Sequence, residues 1–81
     1  MTEVKPLEPR NARRERAAAT RRRMLASAFD LFVRQGYAPT TMGQIAAAAG
    51  VAVQTVHFTF HTKADLLKEV MTDYAAGEED P

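Results

Sequence analysis

Apolar residues recur at helical spacing in two blocks of the chain. Leu25, Ala28, Phe29 and Phe32 form a stripe of the 3.6-residue period, and Met24 and Leu31 widen it. Arg34 falls where a helix C-terminus favours a cation, and Gly36 supplies a stop, so a first helix is predicted to end near Gln35. The other block is Leu66, Leu67, Val70, Met71 and Tyr74. It follows Thr62-Lys63-Ala64-Asp65, which has the spacing of a capping box, and predicts a helix from Thr62 to about Tyr74. Met24, Phe29, Phe32, Leu66, Leu67 and Met71 are the expected core. A shorter helix lies between the blocks. Thr41-Met42-Gly43-Gln44 is a second capping box, Met42, Ile45 and Ala49 share one face, and Gly50 ends the run.

Val51 to His61 is the segment in conflict with its neighbours. Its valines, threonines and phenylalanines favour a strand, yet no second strand is visible to pair with it. A lone strand would leave its backbone donors and acceptors without partners. A helix of about two turns, from Ala52 to Phe58, removes that cost. It brings Val53, Val56 and Phe60 towards the interior and leaves Gln54, Thr55 and His57 outside. Helix, short glycine-containing turn, short helix is the helix-turn-helix arrangement, whose second helix enters the major groove of DNA. The predicted fold class is therefore all-α: a three-helix, homeodomain-like helix-turn-helix bundle plus the start of a fourth helix.

Charge sharpens this picture. The net charge of the 81 residues is only +1, but residues 1–23 hold eight lysines and arginines against three glutamates, while Asp73, Glu78, Glu79 and Asp80 crowd the other end. Three segments follow: a basic, largely disordered arm over residues 1–20, a helix-turn-helix domain over 21–75, and an acidic disordered tail over 76–81. Residues 13–23 are rich in good helix formers but lack an apolar stripe, so a frayed extension of the first helix is the most they are expected to form. A dense basic arm suits a polyanionic partner.

Other classes fare worse. There is no cysteine, hence no disulfide framework or thiolate metal site. No apolar run reaches the ~20 residues of a membrane span, and no apolar stretch follows the first charges as in a signal peptide, so the cytoplasm is the expected location. His57, His61 and Asp65 are spaced by four, but the Thr62 cap interposes a helix break, and no metal is expected. Nothing combines a nucleophile with a base and its orienting group, and no glycine-rich phosphate loop follows a strand, so no enzyme and no cofactor are expected. The alternative to a DNA binder is a small helical protein-interaction module with a solubilising basic arm. The polar edge of Gln54, Thr55 and His57 is poorly suited to that.

Ala28 and Phe32, Gly36-Tyr37, Thr40-Thr41, Ile45-Ala46, Ala49-Gly50-Val51, Thr55-Val56, Phe60, and Lys63 followed by Leu66-Leu67 stand in one order and spacing. Through them, residues 21 to 71 resemble the N-terminal DNA-binding domain of tetracycline-repressor-type (TetR family) regulators. The resemblance implies binding to double-stranded DNA, most often for repression. It also implies a fourth helix leading into a C-terminal part that binds a small-molecule effector and forms a homodimer; residues 1–81 do not contain that part. Val53 and Gln54 fall where the family faces base edges. Gln54 can pair bidentately with adenine, and a Val53 methyl can pack on a thymine methyl. His57 stands where the family has a tyrosine that contacts the DNA backbone, and either ring nitrogen can donate to a phosphate; it is a candidate for bases as well. Thr41, Thr55 and Lys63 complete the candidate phosphate contacts. Arg13, Arg14, Arg21, Arg22 and Arg23 of the arm are expected to lie along phosphates or in the minor groove, adding affinity more than sequence preference. Ala52 replaces a common capping serine at the start of the reading helix.

Overall fold

The computed structural model describes the backbone of residues 9–79 and the side chains of residues 12–74. Four helices follow one another: α1 (Pro9–Gln35), α2 (Met42–Ala49), α3 (Val53–Phe60) and α4 (Lys63–Glu79). No strand occurs among the described residues, so the all-α expectation holds. α1 packs against α2 and α4, α2 packs against α3, and α3 touches α4 more lightly.

The helix ends follow their local chemistry. Thr41 accepts a hydrogen bond from the Gln44 amide at 3.0 Å, and Gln44 Oε1 accepts one from the Thr41 amide at 3.1 Å, so the predicted box is complete. Gly50 ends α2 at φ 76°, a left-handed conformation that a side chain would strain; its N–H donates to Ala46 and Ala47 carbonyls. Gly36 ends α1 in the same way at φ 96°. At Thr62 only half of the expected box forms. Thr62 Oγ1 accepts from the Asp65 amide at 3.0 Å, while the Thr62 amide donates to Phe60 O. The aspartate is one methylene shorter than the glutamate that usually makes the return bond.

Both outer helices run further than their apolar stripes suggest. α1 begins at Pro9, so the helical extension expected at most as a frayed one over residues 13–23 reaches back through the arm to residue 9. The cause is propagation: Arg and Ala cost little to add to a helix already nucleated by its packed half. α4 continues through Glu79, so residues 76–79 are helical as well. Residues 1–8 and 80–81 of the predicted arm and tail lie outside the described residues.

The core is Met24, Leu25 and Ala28 of α1, Ile45, Ala46 and Ala49 of α2, Val56 and Phe60 of α3, and Leu66 and Val70 of α4. Leu31, Phe32, Met42 and Val51 pack against it. Three expected core residues are not among them: Leu67 is only half-buried, and the other two lie further out. Phe29 is 43% exposed and Met71 62%. The stripe on each outer helix is wider than the seam that its neighbours cover. Phe29 instead stacks on Tyr74 at 5.6 Å between ring centroids, along the outer edge of the α1–α4 pair.

Ala52 caps α3 with no side-chain hydrogen bond. A serine there would accept from the Gln54 or Thr55 amide. Ala52→Ser is expected to raise stability by ~1 kcal/mol. An unfolding midpoint that does not rise in urea would contradict this.

Candidate nucleic-acid interface

α2 and α3 are joined by Gly50, Val51 and Ala52 alone. Glycine supplies the turn that a β-carbon would strain, and Val51 packs on the core while its amide donates to Ala46 O at 3.0 Å. This fixes where α3 starts and which side it buries. Val56 and Phe60, four apart, face inward. α3 is shifted and lengthened relative to the expected 52–58, its last turn closing where the His61 amide donates to His57 O at 2.8 Å.

Gln54, Thr55 and His57 are exposed, as the helical reading of this segment requires. Val53 was expected near the interior, but it is 40% exposed, which removes a purely core role for it. Val53, Gln54 and His57 therefore lie together on the outward side of α3. His57 Nδ1 is 3.4 Å from His61 O, leaving Nε2 for another partner. α3 ends before Asp65, so the two histidines and that carboxylate share no helix face.

Phe58 is the residue that the spacing argument missed. It is 83% exposed, the most exposed large apolar side chain described. The signal was present: two residues along a helix is a turn of about 200°, so a buried Val56 places Phe58 on the opposite side.

Thr41 stands at the N-terminus of α2. Its hydroxyl oxygen accepts the cap bond, and its proton can still be donated. Lys63 is placed differently from expectation. Its ammonium donates to Tyr37 O at 2.7 Å, Thr40 O at 2.8 Å and Ala38 O at 3.3 Å, and lies 4.2 Å from the Tyr37 ring centroid. An ammonium has three protons, and three carbonyls of the α1–α2 turn accept them. Lys63 is thus a tie between α4 and that turn.

The arm arginines divide by helix face. Arg21 pairs with Glu69 at 2.6 Å and lies over the Phe60 ring at 5.4 Å, joining α1 to α4. Both partners are half-exposed, so the pair is worth only ~0.2–1 kcal/mol. Arg23 Nε donates to Ala49 O at 3.2 Å and so caps the end of α2. Arg22 lines a groove with Phe29, Asp73 and Tyr74 that no α3 residue enters. Arg14 is exposed. Arg13, with Arg16, shares a groove with Thr55, Phe58 and Thr59 of α3. The five named arginines are therefore not one arm but several roles on one helix.

No helix among the described residues is long and apolar enough to cross a membrane. The sequence model of the family described as "Bacterial regulatory proteins, tetR family" matches residues 24–70, from the buried start of the α1 stripe to Val70 of α4. Three curated proteins are similar to the chain. The HTH-type transcriptional regulator AcrR of Shigella flexneri is 39% identical over 57 residues, 70% of this chain and 26% of that protein. The HTH-type transcriptional regulator SrpR of Pseudomonas putida is 39% identical over 55 residues, 68% of this chain and 26% of that protein. The uncharacterized HTH-type transcriptional regulator TtgW, also of Pseudomonas putida, is 39% identical over 55 residues, 68% of this chain and 41% of that protein. The chain spans about a quarter of the length of the first two. No solved structure matches it. With more than half of its residues inside the family match, the chain belongs to the tetR family of bacterial regulatory proteins, and it carries the helix-turn-helix DNA-binding domain of a transcriptional regulator.

Proposed function

We propose that the chain binds duplex DNA sequence-specifically, with α3 in the major groove, and that this binding represses transcription in the cytoplasm of a bacterium. The observation that carries the reading is the division of α3: Val56 and Phe60 are buried while Val53, Gln54 and His57 are turned out together. Gln54 pairs with an adenine edge, Val53 packs on a thymine methyl, and His57 serves a base edge or a phosphate. Thr41 and Thr55 donate to phosphates near helix N-termini, where backbone amides also favour an anion. Lys63 supports this contact through the turn that it ties down. Two copies read two half-sites, with dimerisation and effector binding supplied by a C-terminal part of the regulator.

Selection of duplexes from a random pool tests the reading. A recovered half-site, bound better than a scrambled duplex at every salt concentration, is the expected result. Gln54→Ala is then expected to lose about 1–3 kcal/mol of discrimination at one base pair, with little change in affinity for the scramble. Equal losses on both duplexes would remove Gln54 from base reading. If no duplex is bound even at low salt, the protein-interaction module takes its place.

A further inference from the structure

The amino-terminal half of α1 is a helix where a largely disordered arm with a frayed extension was expected, and this changes what it can do to a duplex. Arg13, Arg16, Ala17 and Thr20 fall on one stripe of α1, which ends at the buried Met24. That stripe lines a groove with Thr55 and Phe58 of α3. Met24 is part of the core, so the rotation of the stripe about the helix axis is set by packing.

We propose that Arg13 and Arg16 form a rigid phosphate clamp on one flank of the reading helix, and that the helix presenting them is as necessary as their charge. The proposal rests on α3 lying in the major groove. An α-helix is about 10–12 Å across, and the minor groove is about 6 Å wide, so a helical extension is shut out of the groove that an extended arm would enter. The major groove, about 12 Å wide, is filled by one helix. Its phosphate walls then rise directly beside α3. The flank of α3 that carries Thr55 and Phe58 meets one wall, and the guanidinium groups beside that flank meet the same wall. Neither Arg13 nor Arg16 is in an ion pair among the described residues, unlike Arg21 and Arg34. Each is thus able to offer a two-pronged set of donors to a phosphate. Such contacts fix register and raise affinity without reading bases.

The test uses the chain and duplexes recovered by selection, with a scrambled duplex beside them. Two variants separate charge from shape. Arg13→Gln with Arg16→Gln removes both cations. Ala18→Pro keeps every charge but breaks the helix between the arginines and Met24, outside the core. Far-UV circular dichroism and the unfolding midpoint check that the remaining helices are intact. Two phosphate contacts account for a salt slope of about 1.8, so the double variant is expected to flatten the slope by about that much. Its disadvantage relative to the parent chain then shrinks by about tenfold between about 50 and 200 mM salt. Ala18→Pro is expected to reproduce most of both effects.

An unchanged slope in the double variant would overturn the clamp. Parent-like binding by Ala18→Pro would also overturn it, since the arginines would then act as a flexible arm. If the parent chain binds duplexes without enriching any sequence, base reading by α3 fails, but the slopes still decide the clamp. If it binds no duplex at all, both fall together.

Discussion

Replacing Leu66 with alanine is expected to destabilise the domain by roughly 2–5 kcal/mol. Leu66 is fully buried in a core made from one or two side chains per helix turn, shared by all four helices. Its removal costs the transfer energy of the lost methyl groups and leaves a cavity that short helices tied by caps collapse around only in part. A domain of this size has about 4–12 kcal/mol in total, so Leu66→Ala leaves little margin. Met71 is the matching control. It continues the same stripe five residues later but is 62% exposed. Met71→Ala is expected to stay within ~0.5 kcal/mol of the parent. Urea unfolding reads both: a lowered midpoint with an unchanged slope for Leu66→Ala, and neither change for Met71→Ala. Equal falls would mean that the sequence stripe, and not the observed packing, describes the core.

The contrast between Leu66 and Met71 also shows what sequence reveals and what it does not. Local chemistry was legible. Thr41 with Gln44, and Gly50 with its left-handed backbone, are satisfied by neighbours within five residues, so their spacing announces the boundaries of α2. The strand-like composition of α3 was overruled correctly, because two helix boundaries on either side left no partner strand. The length of α1 was not legible. Its amino-terminal half buries no stripe of its own and is helical because it extends a packed one. Phe29, Leu67 and Met71 were misplaced because periodicity gives the direction of a face but not the width that a neighbour covers. At the candidate interface, Gln54, Thr55 and His57 followed from the helical period, and Phe58 should have. The split among the arginines could not follow from charge counting. Arg21 meets Glu69 across 48 positions and Arg23 meets Ala49 across 26, and such pairings exist only once the helices are packed.

Lys63 is the sharpest case of that kind, and its replacement is expected to cost both stability and DNA binding. A lysine just inside a helix N-terminus, close to α3, is expected to meet a phosphate when only sequence is considered. The structure spends its ammonium on Tyr37, Ala38 and Thr40 carbonyls, 23 to 26 positions away. Thr40 is itself buried, with its hydroxyl donating to Gly36 O at 2.7 Å, so water is poorly placed to replace the ammonium at that one carbonyl, while the Tyr37 and Ala38 carbonyls face solvent. Lys63→Met keeps the apolar stem and removes the donors. It is expected to cost about 1.5–3 kcal/mol, the range for hydrogen bonds to a charged group. The turn also sets the direction of Thr41 and α2, so duplex affinity should fall with stability. Lys63→Arg separates the two roles. A guanidinium retains the charge and serves a phosphate at least as well, but its planar fork cannot aim at three carbonyls converging on one point. If Lys63 ties the turn, Lys63→Arg loses stability and affinity together, as Lys63→Met does. If Lys63 instead holds a phosphate, Lys63→Arg keeps parent affinity, and Lys63→Met keeps parent stability while its salt slope falls by about 0.9.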